Sequence, residues 1–162
     1  MSQCVDHHLR QMMAETLHYC RDHVKNGGIP FSAYILNDAG DILGRGVNRV
    51  REHHDPTAHA EVDAIRDACF QQGVPYLTGA ILLASGEPCA MCYMSALYAG
   101  VSRIYYAVDR DEAAAHGFDY RGGYDLFAND PTHWRAPRVE KLVVDGALEP
   151  FQDFHRVRMP SR

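Results

Sequence analysis

Two short stretches, His59-Ala60-Glu61 and Pro88-Cys89-Ala90-Met91-Cys92, constrain this chain more than any other feature. One imidazole and two thiolates make three corners of a tetrahedral zinc site. A fold that satisfies them must bring the two stretches to one point. Three protein ligands leave the fourth corner open to water, and zinc lowers the pKa of such a water from about 15.7 towards 7. Glu61 follows the candidate ligand His59 by two positions, close enough to move protons at that water. A lone C-x-x-C also occurs as a redox pair or as half of a structural zinc knuckle. A redox pair gives no reason for the upstream His-x-Glu, and a structural site normally takes four protein ligands. The other cysteines, Cys4, Cys20 and Cys69, are scattered without a second C-x-x-C, although one of them or a further His would complete a four-ligand site.

The hydrophobic pattern places both stretches at helix starts. Asp6 to Asn26 has Leu9, Met12, Met13, Thr16, Leu17, Cys20 and Val24 at spacings of three and four, which predicts a helix that Gly27-Gly28 ends. Phe31 to Leu36 and Asp41 to Val47 flank Asn37-Asp38-Ala39-Gly40 and read as a hairpin. After the polar loop Asn48 to Pro56, Thr57 is the expected N-cap of a helix over 58–72. His59 and Glu61 then lie in its first turn about 200° apart, so the metal must meet the helix end-on. Ala80 to Ala84 predicts a buried strand, Ser85 to Pro88 a turn, and Cys89 to Tyr98 a helix ended by Gly100. A helix N-terminus lowers a thiol pKa and favours the thiolate that binds metal. A strand over 102–108, a short helix over 109–116, a last strand over 139–144 and a terminal helix over 148–158 complete the expected order. Strands alternating with helices imply a layered α/β domain with a hairpin at one side and parallel strands following.

With 162 residues the chain fits one domain, 1–162, and its 46% hydrophobic and 23% charged residues suit a water-soluble core. No apolar run approaches the ~18 residues that span a bilayer, and the N-terminus lacks the pattern of a secretory signal. Five cysteines, two of them committed to metal, point to a reducing compartment, with the cytoplasm as the expected location. A protein that grips a polyanion usually shows a basic face, whereas this chain carries a net charge of −5. Its two small arginine groups, Arg45/Arg49/Arg51 and Arg156/Arg158/Arg162, read as solvated surface, so the balance favours a small-molecule partner over nucleic acid. His7-His8 and His53-His54 lack acid or thiol companions at ligand spacing and read as surface histidines. Trp134 reads as a packing anchor in a loop.

H-x-E with P-C-x-x-C is the signature of zinc nucleobase deaminases. Asp55-Pro56-Thr57-Ala58-His59-Ala60-Glu61, Glu87-Pro88-Cys89-Ala90-Met91-Cys92 and Gly117-Phe118-Asp119 together resemble the cytidine-deaminase-like superfamily, and within it the bacterial guanine deaminases most. The resemblance runs from the first helix to about Phe151-Gln152 and implies a three-layer α/β/α fold with a mixed central sheet. It implies Zn2+ on His59, Cys89 and Cys92, with Glu61 as the catalytic proton shuttle. It further implies that Asn48 hydrogen-bonds the base, that the Ala60 N–H binds a ring carbonyl, and that Phe31 packs on the base plane. Asp119, Tyr120, Asn48 and the Gly-rich segment Arg121 to Tyr124 are candidates for the ring edge.

The implied activity is hydrolytic deamination of a nucleobase or related aminated heterocycle, with guanine as the leading substrate. Other bases or nucleosides, tRNA adenosine and a non-catalytic zinc module are the alternatives. Guanine deaminases of this type typically follow Gly-Phe-Asp with a second acid; here that position is Tyr120. An aspartate accepts two N–H bonds, whereas a phenol offers one donor and one acceptor. Their chains also tend to finish in an aromatic-bearing tail over a neighbouring active site, whereas this sequence finishes Arg158-Met159-Pro160-Ser161-Arg162. A homodimer is implied, with the segment 139–162 packing near an active site.

Overall fold

The computed structural model describes residues 2–158, with side chains from residue 7 to residue 155. In chain order the elements are α1 (Ser2–Lys25), β1 (Ser32–Leu36), β2 (Ile42–Val47), α2 (Val50–His53), α3 (Ala60–Gln72), β3 (Ile81–Gly86), α4 (Ala90–Ala99), β4 (Arg103–Val108), α5 (Arg110–Ala115), α6 (Gly122–Phe127), a 3-10 turn (Pro131–His133) and α7 (Glu149–Arg158). The strands form one sheet in the order β2-β1-β3-β4. β1 runs antiparallel to both β2 and β3, and β3 runs parallel to β4, so the sheet is mixed. The chain divides into two compact units, Met1–Phe127 and Ala128–Arg162.

Alternation along β1 sends its side chains to opposite faces of the sheet. Tyr34 and Leu36, with Ile81 and Leu83 of β3, pack against Met12 of α1. Ala33 and Ile35, with Leu82, pack against Ala60, Ala64 and Ala68 of α3 and Ala96 and Ala99 of α4. Helix, sheet, helix is the three-layer arrangement expected.

Small residues set how close α3 lies. A Cβ on Gly46 would sit 2.2 Å from the Ala60 carbonyl oxygen and 2.4 Å from the Ala64 nitrogen. One on Gly44 would sit 2.4 Å from the Ala68 nitrogen. β2 therefore touches α3 backbone to backbone along an alanine stripe, which fixes the start of α3 relative to the sheet edge.

Several local expectations shift. The N-cap of α3 is His59 in extended conformation, not Thr57, whose N–H and hydroxyl both donate to Asp55 Oδ1. Asp55 thus closes its own turn before the helix begins. Phe31 precedes β1, α2 interrupts the polar loop, and Ser85 and Gly86 belong to β3 instead of a turn. The strand expected over 139–144 is absent: those residues have no ladder partner among the described residues, and β-propensity without pairing does not make a strand. Within the second unit, Asp130 caps the 3-10 turn through the Thr132 N–H, and Trp134 Nε1 donates to the Asn129 carbonyl at 3.4 Å. The side chains of Cys4, Arg156, Arg158 and Arg162, and the tail 159–162, lie outside the described residues. No helix among the described residues is long and apolar enough to cross a membrane.

Candidate metal centre and its cavity

Each ligand comes from the first residues of a helix, because the sheet brings α3 and α4 to it side by side. His59 and Cys89 are the N-caps of α3 and α4, and Cys92 lies in the first turn of α4. His59 Nδ1 lies 3.5 Å from the sulfurs of both Cys89 and Cys92, and the two sulfurs are 3.5 Å apart. A zinc ion held at about 2.3 Å by thiolate and about 2.0–2.1 Å by imidazole sets edges of roughly 3.6 Å from S to N and roughly 3.8 Å between sulfurs. The donor triangle matches both in size and in chemistry. These three form the one His/Cys/Asp/Glu cluster of metal-holding geometry among the described residues. Cys20 and Cys69 stand apart from it, and His53 and His54 are exposed.

The two thiols are shifted in opposite directions. Hydrogen bonds from the Cys92 thiol and the His59 ring hold the Cys89 thiol down to about 4, in spite of burial, while keeping that shared proton pushes the Cys92 thiol up. Glu61 is 5% exposed and its Oε2 accepts from Cys92 Sγ at 3.3 Å. Burial pushes the Glu61 carboxyl above its ordinary value, more than its hydrogen bonds lower it. A proton-accepting and proton-holding group thus sits against the ligand triangle.

A cavity of about 370 Å³ opens beside the triangle. His59, Glu61 and Cys89 line it together with Ile29, Phe31, Asn48 and Val50 and with the run Gly117, Phe118, Asp119 and Tyr120. Phe31 meets Phe118 edge-on, with centroids 5.3 Å apart and planes at 88°, and meets Tyr120 at 6.4 Å. Asn48 is 6% exposed. His23 Nε2–H donates to its carbonyl at 2.7 Å, its N–H donates to Phe31 O, and its Oδ1 accepts from the Val50 N–H. The group Asn48 has to offer a ligand is therefore its Nδ2 donor.

Of the residues predicted for the site, His59, Glu61, Cys89, Asn48, Phe31, Asp119 and Tyr120 meet at this cavity. Cys92 stands behind it with no exposure, and Ala60, 1% exposed, is not among its lining residues. Asp119 is committed elsewhere as well: its oxygens accept from Arg121 Nε at 2.9 Å and Nη2 at 2.7 Å. Those hydrogen bonds hold its carboxyl down to about 2.

Sequence reasoning missed the residues that brace the ligand loop. Glu87, 5% exposed, accepts from the Arg110 backbone N–H at 2.8 Å, from Arg110 Nε at 3.0 Å and Nη2 at 2.6 Å, and from Tyr93 at 3.3 Å. The Arg110 guanidinium lies 3.9 Å over the Tyr124 ring. Arg110 bonding, with Tyr93, holds the Glu87 carboxyl below its ordinary value. Glu87 stood beside Pro88 in the motif, and that adjacency was the available signal; Tyr124 stood in the Gly-rich segment Arg121 to Tyr124, which the sequence marks as a candidate for substrate specificity and not for bracing the ligand loop, and nothing local marks Arg110.

The cytidine and deoxycytidylate deaminase zinc-binding region matches residues 6–108 of this chain. The chain is 40% identical over 129 residues to guanine deaminase of Bacillus subtilis, covering 78% of this chain and 81% of that one. A crystal structure of guanine deaminase from Bacillus subtilis superposes with a TM-score of 0.85 at 32% identity, covering 94% of this chain and 97% of that chain. Tethered to a different reaction name, tRNA-specific adenosine deaminase of Agrobacterium fabrum is 34% identical over 152 residues, 89% of this chain and 96% of that protein. tRNA(Ile)-lysidine synthase of Deinococcus radiodurans is 38% identical over 138 residues, and there the matched 85% of this chain spans only 23% of the relative's length.

Proposed function

This chain belongs to the family of the cytidine and deoxycytidylate deaminase zinc-binding region, and from that membership we propose that it is a zinc-dependent hydrolase removing an exocyclic amine from a nucleobase, guanine first. The observation that carries the reading is the buried Glu61 carboxyl, 3.3 Å from Cys92 Sγ, beside three ligand atoms spaced 3.5 Å apart at an aromatic cavity. Zinc, when bound there, supplies the Lewis acidity that makes water nucleophilic near neutral pH.

Glu61 takes a proton from the attacking water and delivers it to the ring nitrogen beside the amine-bearing carbon. It then moves the water's second proton to the departing amine. Ammonia leaves, the water oxygen becomes the ring carbonyl oxygen, and Glu61 returns to its starting state. Its raised pKa suits a group that must both hold and release a proton in one cycle. Phe31 and Tyr120 pack the ring, Asn48 donates through Nδ2, the Ala60 N–H at the open start of α3 binds a ring carbonyl, and Asp119 reads the far edge.

Glu61→Gln keeps the shape and removes the titrating group. It is expected to retain zinc while ammonia release from guanine falls by about 10² to 10⁴. Turnover near the unsubstituted level would remove Glu61 from this role. A panel of guanine, guanosine, adenine, cytosine, cytidine and amino-triazines fixes the ring. The tRNA-specific adenosine deaminase relative supports tRNA adenosine as a second reading, against which the net charge of −5 argues. The proposed setting is purine metabolism in the cytoplasm. The proposed assembly is a homodimer; exposed Leu97, Tyr98, Tyr105 and Tyr106 support it, and sedimentation tests it.

A further inference from the structure

The turn that delivers Cys89 is hydrogen-bonded by side chains from a later stretch of the chain, Arg110, Tyr120 and Tyr124. It leaves β3 at Gly86, passes Glu87 and Pro88, and enters α4 with Cys89 as N-cap. Pro88 is fully buried and has no N–H to donate, so the backbone of the turn is one donor short. The Glu87 N–H donates to Val108 O at 2.8 Å. The Glu87 carbonyl accepts from the Tyr120 hydroxyl at 2.7 Å, and the Pro88 carbonyl accepts from the Tyr124 hydroxyl. The two phenols lie edge to face, with centroids 6.4 Å apart, and Arg110 stacks on Tyr124 while binding the Glu87 carboxylate.

We propose that Tyr120 and Tyr124 are positioning residues for the metal: their hydroxyls fasten the two carbonyls before Cys89 and so fix its sulfur at the ligand triangle. Tyr120 then has two faces of use, its ring on the cavity wall and its O–H on the ligand turn. The donor hydrogen of its hydroxyl is spent on Glu87, so Tyr120 does not donate to a substrate edge. The inference rests on the metal reading of His59, Cys89 and Cys92 and adds residues that touch no ligand atom. Partners that orient metal ligands commonly change metal affinity by 10- to 100-fold when lost.

Tyr120→Phe, Tyr124→Phe and the double variant remove only the hydroxyls. Zinc affinity is measured on each full-length protein by competition with a chromophoric chelator, and the cobalt-substituted proteins are compared by their d–d absorption. Each single variant is expected to bind zinc about tenfold more weakly, the double variant more weakly still, with altered cobalt bands. Affinity within threefold of the unsubstituted protein in the double variant, with unchanged bands, overturns the proposal. Melting of the metal-free proteins separates the two causes of weak binding: a loss of affinity in variants whose metal-free melting is unchanged supports positioning, and one that merely tracks lost stability refutes it. Failure of the unsubstituted protein to bind zinc would instead refute the underlying metal reading.

Discussion

At the scale of single residues, the four cysteines with described side chains sort into two kinds by what surrounds them. Cys89 and Cys92 share a triangle with His59, whereas Cys20 is buried in the helix α1 and Cys69 sits partly exposed in α3, where burial raises its thiol pKa. Neither Cys20 nor Cys69 belongs to the group of donor atoms that closes on one point, so neither competes for zinc. Cys89→Ala and Cys92→Ala are each expected to lose bound zinc, while Cys20→Ala and Cys69→Ala keep about one zinc per chain by atomic absorption. Zinc at full occupancy in Cys92→Ala would break the ligand set. The ligands and Glu61 were legible in the sequence because few residue types bind zinc and their spacing is fixed by two helix starts. The bracing role of Glu87, Arg110 and Tyr124 was not, because their partnership exists only once α5 and α6 fold back on the turn before α4. His23 is the same case: its bond to the Asn48 carbonyl spans 25 positions that no local pattern connects.

At the scale of elements, periodicity found α1, α3, α4 and the four strands to within a few residues: the helices bury one face, β1 and β3 lie wholly inside, and β4, half-buried to exposed, is held by its ladder to β3. It failed where burial was not the organiser. The run at 142–144 is apolar yet exposed, and its residues carry no signal that a ladder partner is missing. Thr57 had the residue type of an N-cap, but Asp55 captured it and the cap moved to His59, which puts the ligand at the helix start itself. The placement of α3 depends on glycine in β2, so Gly46→Ala is expected to force the helix start away and cost about 1–3 kcal/mol by overpacking. Because that start carries His59 and Glu61, zinc affinity and turnover should fall with it. Gly73 at the other end of α3 has φ +65 and nothing near its Cβ direction. Gly73→Ala should cost about 1 kcal/mol of backbone strain and leave zinc affinity unchanged. Equal effects of the two substitutions on zinc affinity would show that the α3–β2 contact does not set the site.

At the scale of the whole molecule, the metal centre couples local geometry to global stability. An ion that binds the folded chain and not the unfolded one stabilises it by about 2.7 kcal/mol at 100 times its dissociation constant. For a chain of this size each kcal/mol shifts the melting point by roughly 2–4 °C. Stripping zinc with a chelator should therefore lower the melting temperature by roughly 5–10 °C, in a zinc-dependent way. All three ligands, Glu61 and every cavity-lining residue lie within Met1–Phe127, a unit with its own two-sided core. A chain ending at Phe127 is expected to keep the same zinc-dependent shift, because the triangle needs only the ends of α3 and α4 and the sheet beneath them. Comparison of the two chains by differential scanning calorimetry, with and without chelator, checks this. Loss of the shift in the shorter chain, with cooperative melting retained, would mean that Ala128–Arg162 contributes to holding the metal, and that the donor set is larger than His59, Cys89 and Cys92.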